Sequence, residues 1–140
     1  MRQILLFAAL AASLALLSGC ALSRAKEDTA EDMPDKAAYH KISAEEAYEM
    51  MASQEVVVVD VRTREEYDGG HIENAVLVPN ESIDSEMPEA LPDKEATLLI
   101  YCRSGRRSKE AAQKLLSLGY QSVYDFGGVI DWPYELVKEG

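Results

Sequence analysis

Thr97-Leu98-Leu99-Ile100-Tyr101-Cys102-Arg103-Ser104-Gly105-Arg106-Arg107 is the stretch from which the fold can be read. It opens with an apolar run of strand length, and a cysteine stands where that run ends. A short loop with one glycine and three arginines follows. Residues 108–118 then repeat apolar side chains at helical spacing, with Ala111, Ala112, Leu115, Leu116 and Leu118 on one face. Glu110 and Lys114 form an i,i+4 pair, and Gly119 stands at the C-cap position. A buried strand that ends in a thiol, turns tightly and enters a helix N-terminus favours a thiolate and offers a seat to an anion.

Working outward, strands and helices alternate. Tyr39-His40-Lys41-Ile42 reads as a short first strand. Ser43-Ala44-Glu45-Glu46 is a capping box, opening a helix to about Ala52 with Ala47, Met50 and Met51 inward. Val56-Val57-Val58-Val59 is a β-branched run suited to a strand buried on both faces. It ends at Asp60-Val61-Arg62. A second capping box, Thr63-Arg64-Glu65-Glu66, opens a short helix that Gly69-Gly70 stops. His71-Ile72-Glu73-Asn74 reads as a turn and Ala75-Val76-Leu77-Val78 as a strand closed by Pro79. Residues 80–95 are polar and broken by Pro88 and Pro92, which predicts irregular structure or one short helix. Ser122-Val123-Tyr124-Asp125 is a last strand and Gly127-Gly128 a turn. Trp132-Pro133 opens a final helical stretch ending near Lys138. This order predicts an α/β domain with a mainly parallel sheet. Ligands bind such sheets at the carboxyl ends of strands, where both Asp60-Arg62 and Cys102 fall.

The chain of 140 residues has room for one domain. Its formal net charge of −11 keeps it soluble and argues against nucleic acid as a partner. The arginines after Cys102 are then a local positive island. With two cysteines, Cys20 and Cys102, no disulfide scaffold can be built. His40 and His71 are far apart, and no Cys/His cluster has the spacing of a zinc site.

Met1-Arg2-Gln3 is a short positive segment, and residues 4–17 are apolar or small apart from Ser13. The run is shorter than the roughly 20 residues a spanning helix needs and reads as an export signal. Leu17-Ser18-Gly19-Cys20 resembles the bacterial lipobox. That resemblance implies cleavage before Cys20 and its lipidation. More than one acyl chain would anchor the protein firmly on the extracytoplasmic side of a membrane. The expected organisation is a signal peptide at 1–19, a lipidated cysteine and acidic tether at 20–38, and a globular domain at 39–140. Lipidation of Cys20 would leave Cys102 as the sole thiol of the mature chain.

The globular part resembles a single-domain rhodanese. The residues that carry the likeness are Val59-Asp60-Val61-Arg62, Glu65-Glu66-Tyr67, Gly70-His71-Ile72, Ala75, the run Cys102 to Ser108, Gly119-Tyr120, Gly127-Gly128 and Trp132. One departure is Glu73-Asn74, where many relatives carry Pro-Gly; Asn tolerates a left-handed backbone better than most residues. The resemblance implies a three-layer α/β fold with a mainly parallel five-stranded sheet. It also implies a persulfide mechanism. A small anionic donor such as thiosulfate gives sulfur to Cys102, and a small-molecule or protein thiol acceptor removes it. No cofactor or metal is called for. Arg103, Ser104, Gly105, Arg106 and Arg107 are the expected donor-binding residues. Asp60 and Arg62 are expected to pair beneath the loop, His71 to be structural, and Trp132 to be packing or a pocket wall.

The chemistry explains the residue types. Sulfur transfer needs a thiolate. A helix N-terminus and nearby arginine charge favour that form, and inward N–H groups cradle the persulfide anion. Gly105 lets the backbone bend, and the arginines draw in an anionic donor. Two other readings stand beside this one. Cysteine phosphatases and arsenate reductases use a Cys-x5-Arg loop, and here Arg107 falls one position short of that register. A non-catalytic sulfur carrier or binding module is the other.

Overall fold

The computed structural model describes residues 38–139. The expected signal, Cys20 and the tether up to residue 37 lie outside the described residues. The central element is β4 (Thr97–Cys102), buried along its length after Thr97. β2 (Val57–Asp60) pairs with it on one side and β5 (Ser122–Gly128) on the other. β3 (Val76–Leu77) lies beyond β2, and β1 (Ala38–Lys41) beyond β5. The order of the five-stranded sheet is β1-β5-β4-β2-β3, and every pairing is parallel. It is thus fully rather than mainly parallel, and the carboxyl ends of all strands share one edge.

The two faces follow from the alternation of side chains along β4. Leu98, Ile100 and Cys102 face α3 (Arg106–Ser117), against Ala111, Ala112 and Leu115. Leu99 and Tyr101 face the other way, toward Ala47 of α1 (Ala44–Ser53) and Tyr67 of α2 (Arg64–Asp68). Both capping boxes form. The Ser43 side chain accepts from Glu46 N–H at 3.1 Å, and the Thr63 side chain from Glu66 N–H at 3.3 Å. Within residues 80–95 the regular structure is a single 3-10 turn, Asn80–Ser82. Asn74 takes φ 63°, so the turn expected where relatives carry Pro-Gly does form.

Beyond one-residue shifts at the ends of β1, β2 and β3, three expectations are corrected. α3 starts at Arg106, not Ser108, because Gly105 at φ 102° turns the chain straight into helix. Gly127 and Gly128 are not a turn but the end of β5. Tyr101 pairs with Gly127 while Ile100 pairs with Asp125, so Phe126 is bulged out. Gly127 absorbs that bulge at φ 91°. The helix expected after Trp132 is absent. A 3-10 turn, Val129–Asp131, precedes it. Val137 and His71 then exchange backbone hydrogen bonds of 2.8 and 2.9 Å, an extended pairing that is incompatible with helix.

Asp60 and Arg62 form the main polar network inside the domain. Both are buried, and Arg62 Nη2 lies 2.6 Å from Asp60 Oδ2. Arg62 Nε also donates to Asp60, and its Nη2 donates to the Gly70 carbonyl at 2.8 Å. Tyr101 Oη donates to Asp60 at 2.7 Å and accepts from Ile72 N–H at 3.1 Å. Burial, then the charge of Asp60, holds the Tyr101 phenol well above its ordinary range. Burial pulls Arg62 down, but its hydrogen bonds to Asp60 and that charge outweigh it, so the guanidinium is held above its usual value. Asp60→Ala strands a buried guanidinium. The expected loss is about 3–5 kcal/mol of stability in urea unfolding.

Candidate active site

Cys102 is the last residue of the central strand and is 1% exposed. Its Sγ accepts the Gly105 N–H at 3.0 Å. Among the described residues, the N–H groups of Arg103, Ser104, Arg106, Arg107 and Ser108 have no protein acceptor. This follows from local structure: a tight turn runs directly into a helix, whose first N–H groups have no intrahelical partner. The first helical bond around the loop is Lys109 N–H to the Gly105 carbonyl, at 3.3 Å. A sulfur anion at the end of β4 therefore sits at the positive end of α3, among donors not used by the fold.

The loop is held from two sides. On the β5 side, a Cβ at Gly128 would fall 2.3 Å from the Arg103 carbonyl oxygen and 2.7 Å from Ser104 Cα. Only glycine permits that approach. Ile130 N–H donates to the same Arg103 carbonyl at 3.3 Å. Ser108, fully buried, donates to the Gly105 carbonyl at 3.1 Å, and its hydroxyl also lies 3.4 Å from the Gly127 carbonyl. On the α2 side, Arg107 grips Glu66 through two nitrogens, each 2.8 Å from a different carboxylate oxygen. Glu66 is also the capping-box carboxylate that accepts the Thr63 N–H at 3.0 Å. One side chain thus closes the start of α2 and ties it to the start of α3.

The loop arginines have separate fates. The Arg107 fork is engaged by Glu66, and those hydrogen bonds hold it above its usual value. Arg106 is 79% exposed and reaches Glu110 at 3.8 Å. Arg103 is exposed and, among the described residues, pairs with no carboxylate. Ser104 is exposed beside it. Asp60 and Arg62 do pair, but on the sheet face opposite Cys102, and no hydrogen bond joins them to residues 102–107. Their link to the site runs through Tyr101. His71 is buried, stacked on Tyr67 at 3.6 Å, with Nδ1 2.9 Å from the Tyr67 carbonyl.

A cleft of about 650 Å³ flanks the loop, lined by Ser104, Gly105, Lys41, Lys109, Asp125 and Tyr39 among others. Lys41 and Lys109 bring cationic side chains to it that sequence reasoning did not single out. Glu66 was legible as a cap but not as the partner of Arg107, and Ser108 and Gly128 only as motif letters. Nothing in the spacing signals those contacts, since 41 residues separate Glu66 from Arg107. A larger cavity, about 820 Å³, lies on the α1 side and touches no residue of the cysteine loop. Among the described residues no group of three or more His, Cys, Asp or Glu could hold a metal ion.

Comparison with known proteins places this geometry. A family model described as a rhodanese-like domain matches residues 43–133. A curated tRNA uridine(34) hydroxylase from Yersinia pestis is 31% identical over 106 residues, covering 72% of this chain and 30% of that protein. The chain therefore spans less than a third of the length of the curated relatives it matches. A rhodanese with anions from E. coli is 33% identical with a TM-score of 0.55, covering 61% of this chain and 100% of the other. A human single-domain sulfurtransferase is 28% identical with a TM-score of 0.60, covering 66% and 93%.

The Glu66–Arg107 pair sets an acid dependence. The hydrogen bonds from Arg107, then the Thr63 N–H, outweigh burial and hold Glu66 at about 2, below the ordinary 4.5. A depressed carboxyl contributes stability that is complete above the unfolded value and is lost as pH falls through the folded one. The wild-type chain is therefore expected to exceed Glu66→Gln in stability above pH 4.5, with the gap closing toward pH 2. Paired thermal melts across that range measure it.

Proposed function

This chain belongs to the rhodanese-like family, and from that premise we propose that it is a sulfurtransferase acting through a persulfide on Cys102. The donor is thiosulfate or a similar anionic sulfane compound, and the acceptor a small-molecule or protein thiol. The single observation that carries the reading is the seat of Cys102 Sγ. It sits at the end of the central strand, 3.0 Å from the Gly105 N–H, before the N-terminus of α3. Deprotonated Sγ attacks the outer sulfur of thiosulfate. An S–S bond forms at Cys102 as the donor's own S–S bond breaks, and sulfite leaves with that electron pair. The acceptor then attacks the outer persulfide sulfur, and the Cys102 thiolate departs restored.

Each element has a role in this sequence. The free N–H groups of the loop and of the first turn of α3 hold the persulfide anion. Arg103, with no carboxylate partner among the described residues, and Lys109 in the adjacent cleft supply charge for an anionic donor, while Lys41 in the same cleft is paired with Asp125 at 3.5 Å. Arg106 reaches into solvent and adds to the local field. Arg107 works through Glu66, fixing the loop. The phosphatase reading fares worse, because it needs the arginine that closes the loop free to clamp a phosphate, and Arg107, the nearest to that register, is engaged twice by Glu66. Transfer of a tRNA-directed activity from the curated relatives is disfavoured by the net charge of −11.

The proposal extends to location. Residues 1–19 act as a signal peptide in a bacterium. Cys20 becomes the acylated first residue of the mature protein, and residues 20–38 tether the 39–140 domain to the extracytoplasmic face of a membrane. The lipobox-like Leu17-Ser18-Gly19-Cys20 supports this. Cys20→Ser is expected to abolish incorporation of labelled palmitate and move the chain from the membrane to the soluble fraction. Unchanged labelling would remove the anchor from the proposal.

Thiosulfate treatment of the purified protein is expected to add one sulfur atom to Cys102 by mass, and cyanide to release it as thiocyanate. Cys102→Ser should lower both to the uncatalysed background. Absence of the added sulfur in the wild-type chain, with aryl phosphate hydrolysed instead, would falsify the sulfur reading. Persulfide without turnover would make the chain a carrier.

A further inference from the structure

We propose that the domain carries a second, separate site, which binds an organic ammonium group. The larger cavity, about 820 Å³, is lined by Tyr48, Met51, Trp132 and Tyr134, and by the acidic residues Glu73 and Glu135. Tyr48 and Tyr134 stack with ring centroids 3.9 Å apart. Trp132 stands edge-on to both, at 6.1 and 4.9 Å, with interplanar angles of 60° and 70°. Aromatic surface is thus presented in two orientations around one space. Tyr48 and Tyr134 remain 46% and 37% exposed, so these rings are not consumed by the core.

The electrostatics select the ligand. No Lys, Arg or His lines the cavity. Among the described residues, neither Glu73 nor Glu135 takes part in a salt bridge. Aromatic faces carry the negative end of a quadrupole, so rings and carboxylates act with one sign. An anion such as the sulfur donor is repelled. A neutral apolar ligand leaves the carboxylates unused. A bare metal ion finds these two carboxylates with no third His, Cys, Asp or Glu beside them, and the aromatic walls offer it no ligand. An alkylated ammonium matches the carboxylates and the rings together: weakly hydrated charge for both, and apolar substituents for Tyr48, Met51 and Trp132. The formal charge of −11 raises the local concentration of such cations. The ammonium belongs either to a free quaternary amine or to a trimethylated lysine side chain of a protein. The site is independent of Cys102.

Trp132 is the chain's only tryptophan, so its emission reports on this cavity. The full chain is titrated at low salt with choline, with N-acetyl-trimethyllysine amide, and with 3,3-dimethylbutanol, the uncharged counterpart of choline. A saturable change in Trp132 emission is expected with one or both cations and not with the alcohol. Saturation by choline alone points to a free amine, and by the lysine derivative to a protein side chain. The Glu73→Gln/Glu135→Gln double variant, altered only at exposed positions, should bind about tenfold more weakly. No saturable change with either cation, an equal response to the alcohol, or unweakened binding by the double variant would each overturn the proposal.

Discussion

Strand β4 has a parallel partner on each side, and both its faces are covered. That one constraint organises the molecule. A strand buried on two faces must be apolar along its whole length, as Leu98, Leu99, Ile100 and Tyr101 are. Because its neighbours run the same way, every strand delivers its carboxyl end to one edge. Whatever residue follows the apolar run is presented there, and in this chain that residue is Cys102. The thiol is placed by the sheet before any loop residue acts on it.

Alternation along β4 then divides the labour between the two faces. Cys102 points toward α3, where the helix N-terminus and the free N–H groups of the loop meet it. Tyr101, one residue earlier, points to the other face and joins Asp60 and Arg62. The buried ion pair therefore does not touch the sulfur. It holds the strand, the Gly70 carbonyl and the Ile72 N–H in register, so that the loop leaves β4 from a fixed platform. The loop itself is fixed by the close approach that Gly128 permits and by the Glu66–Arg107 fork. Positive charge near the site is split accordingly. Arg107 is structural in its contacts and Lys41 pairs with Asp125 at 3.5 Å, while Arg103 and Lys109 have no carboxylate partner among the described residues.

Much of this was legible in the residues alone. The apolar run before Cys102, the β-branched run before Asp60 and the two capping boxes report local physics, and each forms close to where it was placed. The helix start was misplaced by two residues, at Arg106 rather than Ser108. Arg106-Arg107 carries no apolar periodicity, and only the φ of Gly105 decides where helix begins. Gly127-Gly128 looked like a turn because paired glycines usually are one. Here they serve a bulge and a close backbone approach, which depend on what lies across from them. Trp132-Pro133 looked like a helix start, but Val137 finds a better partner in the backbone of His71.

The amino-acid order by itself determined the α/β class, the strand on which Cys102 rides and the tight arginine-rich turn after it, because those rest on periodicity and on neighbours a few residues apart. Only the tertiary structure decided which arginine stays free. It also sent Asp60 and Arg62 to the face opposite the thiol, and gathered Tyr48, Trp132 and Tyr134 around one acidic cavity. The physical reason is range. Hydrophobic period and capping act within a turn or two of chain, whereas ion pairs and ring contacts form between segments that only the closed sheet brings together, as Glu66 and Arg107 do across 41 residues.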